Sequence, residues 1–175
     1  MHAAAGAAHP RARTADAGVK PTIVLVHGAF GDSSGWDAVT EQLQQLGYTV
    51  DAEPNPLRGV PYDSAYLSDF LSTISGPVVL VGNSYAGFVT TNVAASDPEV
   101  KALVYVDGYL PAAGDTLGSL NSAVAGSCVT PAILNGVPYP GSPPGDVDLY
   151  IKQSAFPGCF VNGLPAGEAA ALAAE

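Results

Sequence analysis

The chain has 175 residues, with 16 Asp and Glu against 6 Lys and Arg and a formal net charge of −10 at pH 7. Its 47% hydrophobic and 13% charged residues suit a single globular domain and argue against intrinsic disorder. The acidic balance argues against a nucleic-acid partner, and no apolar run approaches the roughly 18–20 residues of a membrane-spanning helix.

Residues 1–20 are rich in alanine and show no apolar periodicity. They lack the apolar centre of about 7–15 residues that a signal peptide carries. We therefore expect a disordered N-terminal arm, with the remnant of an export leader as the alternative.

Strands and helices alternate between residues 21 and 109, which we predict to be the core of the fold. The predicted strands are β-branched apolar runs, at 22–28, 48–52, 77–82 and 100–108. The predicted helices have apolar residues at helical spacing, at 33–47, 63–76 and 85–96. Asp63 and Ser64 are expected to cap the second helix. Continuous apolar strands separated by helices indicate an α/β fold with a parallel sheet covered by helices.

The composition changes beyond residue 109. Seven of the chain's 15 prolines lie between residues 131 and 165, interleaved with glycine and aromatic residues. Long irregular segments are usually lids or binding loops, so residues 110–175 are predicted to be a lid or cap region. One short helix is expected near 146–155 and another from residue 166. A poorly ordered insertion is the alternative.

The two cysteines, Cys128 and Cys159, both lie in this Pro/Gly-rich segment. We favour a disulfide between them over two unrelated thiols, and a disulfide would favour an exported protein over a cytoplasmic one. No group of His, Cys and Asp has the spacing of metal ligands, so we expect neither a metal nor an organic cofactor.

The segment 78–96, VVLVGNSYAGFVTTNVAAS, is a predicted strand that leads through a tight turn into a helix, with Ser84 at the apex. The small residues Gly82, Ala86 and Gly87 allow the strand and the helix to approach closely. This arrangement is typical of a nucleophile elbow, which exposes the serine beside the N–H groups of a helix N-terminus. A Gly/Ser turn without chemistry is the alternative.

A serine that attacks an acyl carbon generates an oxyanion, which requires two fixed N–H donors. The backbone N–H of Tyr85 is one candidate. The backbone N–H of Ala29, in the loop after the first strand, is the other. His27 lies in the same loop, and we interpret it as bracing that loop by hydrogen bonds in preference to acting as a base.

Three segments resemble the α/β-hydrolase superfamily: PTIVLVHGAFGDSSGW, GPVVLVGNSYAGFVTTNVA and VKALVYVDGYLPAAGDT. Within it, they are most similar to small bacterial esterases related to plant methyl esterases and hydroxynitrile lyases. The resemblance implies a three-layer α/β-hydrolase-type sheet with about four strands present, a nucleophile at Ser84, and oxyanion donors at Ala29 and Tyr85. Asn83 and Ala86 depart from the His and Gly that relatives usually carry there.

The larger departure concerns the acid and the histidine, which follow the nucleophile in this family. All three histidines precede Ser84: His2, His9 and His27. Asp107, after the fourth strand, is a candidate acid, although we favour a turn residue. The pattern therefore resembles the N-terminal two-thirds of a serine hydrolase, whose open edge strand at 100–107 would allow self-association or binding of a partner chain.

Three functions stay open at this level. The first is hydrolysis of a small-molecule carboxylic ester through an acyl-enzyme, with the missing groups supplied by other sequence. The second is a non-catalytic module that binds a small ester or hormone-like molecule. The third is an inactive truncated fragment. A lyase ranks lower because no lysine or threonine can be placed in the pocket.

Overall fold

The computed structural model describes residues 19–123 and 125–174, so most of the N-terminal arm expected at residues 1–20 lies outside the described residues. The main sheet has four strands, β1 (Thr22–Val26), β2 (Val50–Glu53), β3 (Val78–Asn83) and β4 (Val100–Val106). The strand order is β2-β1-β3-β4, and every neighbouring pair is parallel. The prediction of an α/β fold with about four parallel strands is confirmed.

Three helices connect these strands, α1 (Asp37–Gln45), α2 (Val60–Leu71) and α3 (Ala86–Ala94). Because side chains alternate along a strand, β1 contributes to a core on each face of the sheet. Val24 and Val26 pack in one buried cluster with residues of α2 and α3. Ile23 and Leu25 pack in the other with Trp36, just before α1. Burial on both faces explains why β1 reads as a continuous apolar run.

The helix α2 begins earlier than predicted. Gly59, with a φ of 106°, occupies its N-cap position, and Pro61 follows in the first turn, where a proline is tolerated. The prediction that Asp63 and Ser64 cap this helix is therefore wrong. Asp63 lies inside the helix and is buried, because its carboxylate is satisfied by partners outside α2.

The segment 110–174 contains more regular structure than expected. Its elements are α4 (Leu117–Ala123), β5 (Leu134–Val137), β6 (Asp148–Ile151), α5 (Phe156–Cys159) and α6 (Ala166–Leu172). The helix predicted near 146–155 is wrong, since residues 148–151 form β6, which pairs with β5 in an antiparallel hairpin. The pairing with β5 provides the backbone hydrogen bonds that a helix would have formed within the segment. The apolar periodicity of a few residues does not reveal a pairing partner elsewhere in the sequence.

The strand β4 lies at the edge of the main sheet. No strand pairs with its outer side in the part of the chain that the structure describes. Val104 and Val106 project from one face and are 44% and 39% exposed. An edge strand with exposed valines is a ready template for pairing with another chain.

Among the helices that the structure describes, none combines the length and the hydropathy of a membrane-spanning segment.

Glycines allow α3 to pack closely against its neighbours. A Cβ added at Gly82 would lie 2.8 Å from the Thr90 hydroxyl oxygen and 3.0 Å from the Ala86 carbonyl oxygen. A Cβ added at Gly87 would overlap the carbonyl oxygen of Tyr109. Since these obstacles are mostly backbone atoms, only a residue without a side chain fits at Gly87.

The substitution Gly87→Ala tests this packing. We expect the free energy of unfolding to fall by at least about 2 kcal/mol, because the backbone must shift to admit the methyl group. The helical propensity of alanine offsets only about 0.5–1 kcal/mol of this. Urea denaturation measures the change. Gly167→Ala, in α6 with open space around it, is the matched control and is expected to be neutral or stabilising. Equal stabilities for the two variants would contradict the analysis.

Candidate active site

Ser84 joins β3 to α3 with a φ of 50°, in the left-handed region that residues with a side chain rarely adopt. Such a conformation costs on the order of 1–3 kcal/mol and persists only where the surroundings enforce it. Here the Ser84 carbonyl oxygen accepts hydrogen bonds from the N–H groups of Gly87 (3.0 Å) and Tyr109 (3.1 Å). The serine therefore has the backbone geometry of a sharp strand-to-helix turn.

The loop after β1 runs beside this turn because β1 pairs with β3. Val26 lies opposite Gly82, the residue two positions before Ser84. A Cβ added at Gly28 would lie only 2.8 Å from the Cβ of Ser84, so the backbone at Gly28 is in close contact with the turn. The structure thus brings Ala29 and Tyr85, the two predicted oxyanion donors, to the same edge of the sheet.

Both ring nitrogens of His27 hydrogen-bond to the backbone. Its Nε2 accepts the N–H of Asn55 at 2.9 Å, and its Nδ1 lies 2.8 Å from the carbonyl oxygen of Gly28. Because Nε2 accepts, Nδ1 carries the proton and donates it to that carbonyl. The Asn55 side chain also donates to the His27 carbonyl oxygen at 3.1 Å. These contacts brace the loop, in agreement with the interpretation of His27 from sequence.

A cavity of about 540 Å³ opens above the serine. Its lining consists of two short segments and the serine itself: Ser84, Asp107–Tyr109 and Gly126–Cys128. Asp107 has a φ of 45°, so the chain turns sharply at the end of β4. The structure therefore brings the predicted nucleophile and the candidate acid into one cavity. His27, the only histidine in the described ranges, does not line it.

The wall of the cavity is connected to the loop after β1 through a disulfide. Cys128 and Cys159 are bonded, with their Cα atoms 5.7 Å apart. Phe160, the next residue along the chain from Cys159, packs edge-on against the ring of Phe30 with 5.5 Å between the ring centroids. Phe30 directly follows Ala29. One side of the cavity is thus fixed to the loop that carries a predicted oxyanion donor.

A buried polar cluster lies next to the turn, and the sequence did not reveal it. The Tyr85 hydroxyl donates to Asp63 Oδ2 at 2.6 Å, and the N–H of Arg58 donates to Asp63 Oδ1 at 2.8 Å. Burial, together with the hydrogen bond to Asp63 and the charge of that carboxylate, raises the pKa of Tyr85. The phenol therefore stays protonated and remains a donor at neutral pH.

Glu53, at the end of β2, belongs to the same buried region. It is 1% exposed, and neither of its carboxylate oxygens has a hydrogen-bond partner among the described residues. Burial, and secondarily the negative charge of Asp63, raises the pKa of Glu53 from 4.5 to about 7. The sequence feature that could have identified Glu53 is its position at the carboxyl end of a parallel strand. The predicted strand, at 48–52, ended one residue before it.

Comparison with known proteins agrees with this architecture. The family whose sequence model matches this chain, over residues 23–174, is described as "Alpha/beta hydrolase family". A carbendazim hydrolyzing esterase from Nocardioides sp. is 48% identical over an alignment of 113 residues, and the match covers 55% of this chain and 46% of that protein. A pyrethroid hydrolase from Sphingobium wenxiniae is 32% identical over an alignment of 107 residues, and the match covers 54% of this chain and 38% of that protein. The matches thus span less than half the length of these relatives.

Among solved structures, tomato methylketone synthase I superposes with a TM-score of 0.69 at 21% sequence identity. The superposition covers 89% of this chain and 66% of the tomato protein. At this level of identity the similarity establishes the fold alone.

The raised pKa of Glu53 predicts a pH dependence of stability. The folded protein binds a proton at Glu53 more tightly than the unfolded chain does, so the free energy of unfolding falls as the pH rises from about 4.5 to about 7. The loss is up to about 3 kcal/mol. Glu53→Gln, which carries no charge at any pH, should be more stable than the wild type at pH 8 and lack this fall.

Urea denaturation of both proteins across this pH range measures the difference. Glu41→Gln, on the exposed side of α1, is the matched control and should follow the wild type. A Glu53→Gln variant that is less stable than the wild type at pH 8 would show that the carboxylate has partners there.

Proposed function

Because the chain belongs to the alpha/beta hydrolase family, we propose that Ser84 is the nucleophile of a carboxylic ester hydrolase. The left-handed Ser84 at the junction of β3 and α3 is the observation that carries this proposal. The Ser84 hydroxyl attacks the ester carbonyl carbon and transfers its proton to a base. The alcohol leaves with a proton, and water then hydrolyses the acyl-enzyme. The N–H groups of Ala29 and Tyr85 stabilise the oxyanion in both steps.

The proposed substrates are small uncharged esters. The cavity above Ser84 has the size of a small-molecule site, and the charged side chain in its lining is the carboxylate of Asp107. An anionic substrate would be repelled by that carboxylate and by the net charge of −10. The names of two relatives, a pyrethroid hydrolase and a carbendazim hydrolyzing esterase, are consistent with this substrate class. We further propose that residues 110–174 act as a lid over the cavity.

Activation of Ser84 requires a base, and His27 already uses both ring nitrogens to hold the loop after β1. We propose that the histidine, and the acid if Asp107 does not supply it, come from polypeptide outside the described residues. A partner chain or a further segment that packs on the exposed edge of β4 would bring them to the cavity. A non-catalytic protein that binds a small ester is the second candidate, and it is the function expected if no base from outside the described residues reaches Ser84.

Covalent labelling with a fluorophosphonate tests the proposed nucleophile. We expect labelling of the wild type, located at Ser84 by peptide mass spectrometry, and none in Ser84→Ala, because the probe requires an activated serine hydroxyl. Ser68→Ala, exposed on α2, is the matched control and should be labelled like the wild type. A folded wild type that resists labelling would contradict hydrolysis by this chain, and saturable binding of an ester without turnover would then support the second candidate.

The exposed edge of β4 predicts association. We expect sedimentation velocity to show concentration-dependent assembly of the wild type, or a complex with a partner chain, through β4. Val104→Lys should weaken this association because a charge on an edge strand opposes pairing. Val137→Lys, on the exposed β5, is the matched control. If the wild type and Val104→Lys show the same sedimentation coefficients at every concentration, alone and with a partner chain, an interface at this edge is contradicted.

A further inference from the structure

The buried hydrogen bond between Tyr85 and Asp63 lies directly behind the proposed nucleophile. Tyr85 is the residue after Ser84 and is 7% exposed, and Asp63 is 1% exposed. We propose that Asp63 is a positioning residue, which holds the Tyr85 side chain and thereby orients the backbone N–H that receives the oxyanion. This inference rests on the proposed function and assigns a further residue to the same site.

The N–H of Tyr85 needs an external constraint because hydrogen bonds within α3 do not provide one. Tyr85 stands at the N-terminal boundary of α3, where backbone N–H groups have no intrahelical partner. The backbone also changes from a φ of 50° at Ser84 to −51° at Tyr85, so the peptide between them lies in a strained turn. A small relaxation of this turn would rotate the N–H away from the oxyanion.

The Tyr85 side chain supplies that constraint at two points. Its ring packs in the buried cluster that contains Val26 of β1 and Leu67 of α2. Its hydroxyl donates to Asp63 Oδ2 at 2.6 Å, a short charge-assisted hydrogen bond. A ring held by packing and by a hydrogen bond at its far end leaves the Cα of Tyr85 little freedom to move.

Asp63 is itself fixed, which a positioning residue must be. It lies in α2, and its second oxygen accepts the N–H of Arg58 at 2.8 Å. The Asp63 carboxylate thus has two hydrogen-bond partners, the Tyr85 hydroxyl and the Arg58 N–H, and both are donors. The Arg58 guanidinium in turn bonds to Asp148 of the β5–β6 hairpin at 2.8 Å. The contacts thus connect the turn at Ser84 to α2 and to the β5–β6 hairpin.

Amide hydrogen exchange tests the positioning without requiring any reactivity of Ser84. In Tyr85→Phe, which removes one hydroxyl, we expect the amides of Gly87 and Phe88 to exchange roughly tenfold faster, because they bond to the carbonyls of Ser84 and Tyr85. The amides of β1 should be unchanged. Tyr66→Phe, exposed on the same helix as Asp63, is the matched control and should leave all of these rates unaltered.

The rate of fluorophosphonate labelling tests the consequence for Ser84. Tyr85→Phe and Asp63→Asn should each lower the limiting rate of labelling roughly 10- to 100-fold, while the probe concentration that gives half of that rate stays the same. A catalytic effect without a binding effect separates positioning from a general loss of structure. The double variant should react no more slowly than the slower single variant, since both remove one hydrogen bond.

The outcomes separate this inference from the proposed function. Unchanged exchange at Gly87 and Phe88 in a folded Tyr85→Phe variant overturns the inference. Faster exchange with an unchanged labelling rate also overturns it, because the hydroxyl then holds the turn without affecting the serine. If the wild type is not labelled at all, the proposed function fails, and exchange alone decides whether Asp63 holds the turn.

Discussion

The pairing of β1 with β3 is the constraint on which the rest of the site depends. With Val26 opposite Gly82, the segments that leave the two strands emerge side by side at the carboxyl edge of the sheet. One segment carries Gly28 and Ala29, and the other carries Ser84. A shift in this register would separate them, and it would also misplace the residues that face each core, because side chains alternate along the strands.

The strained turn at Ser84 persists because several parts of the molecule hold it. The backbone beyond β4 donates the N–H of Tyr109 to the Ser84 carbonyl, and Gly87 allows that backbone to approach α3. Asp63, in α2, accepts a hydrogen bond from the Tyr85 side chain. Strain of this kind is common at functional sites, where the surrounding structure stabilises a geometry that the local sequence disfavours. Each constraint comes from a different element, so the turn depends on the whole sheet-and-helix core.

The segment beyond β4 is joined to the core at two loops. Phe160 packs against Phe30 in the loop after β1, and Arg58, in the loop after β2, bonds to Asp148 and lies over the ring of Tyr139 at 4.9 Å. The Arg58–Asp148 pair is partly exposed, so we attribute at most about 1 kcal/mol to it. Orientation is therefore its main contribution, because it places the hairpin next to the same loop that fixes Asp63.

The sequence predicted the features that depend on local pattern. Apolar runs identified the four strands, and the spacing of small residues around Ser84 identified the turn. The contacts of Asp63 and the pairing of β6, which depend on distant parts of the chain, were missed. Asp63 reads as a helix cap because its true partners, Tyr85 and the N–H of Arg58, meet it only in the folded chain. Residues 148–151 gave no strand signal strong enough to outweigh a helix, since their pairing partner lies more than ten residues away.

The most direct test of the account is an NMR titration of the isotopically labelled chain with phenylboronic acid, whose boron becomes tetrahedral when a serine oxygen adds to it. If the register of β1 and β3 assembles an oxyanion site at Ser84, the amide resonances of Ala29 and Tyr85 should shift together as the adduct forms. Neither resonance should shift in this way in Ser84→Ala. Formation of the serine adduct without a shift of either amide would contradict the account.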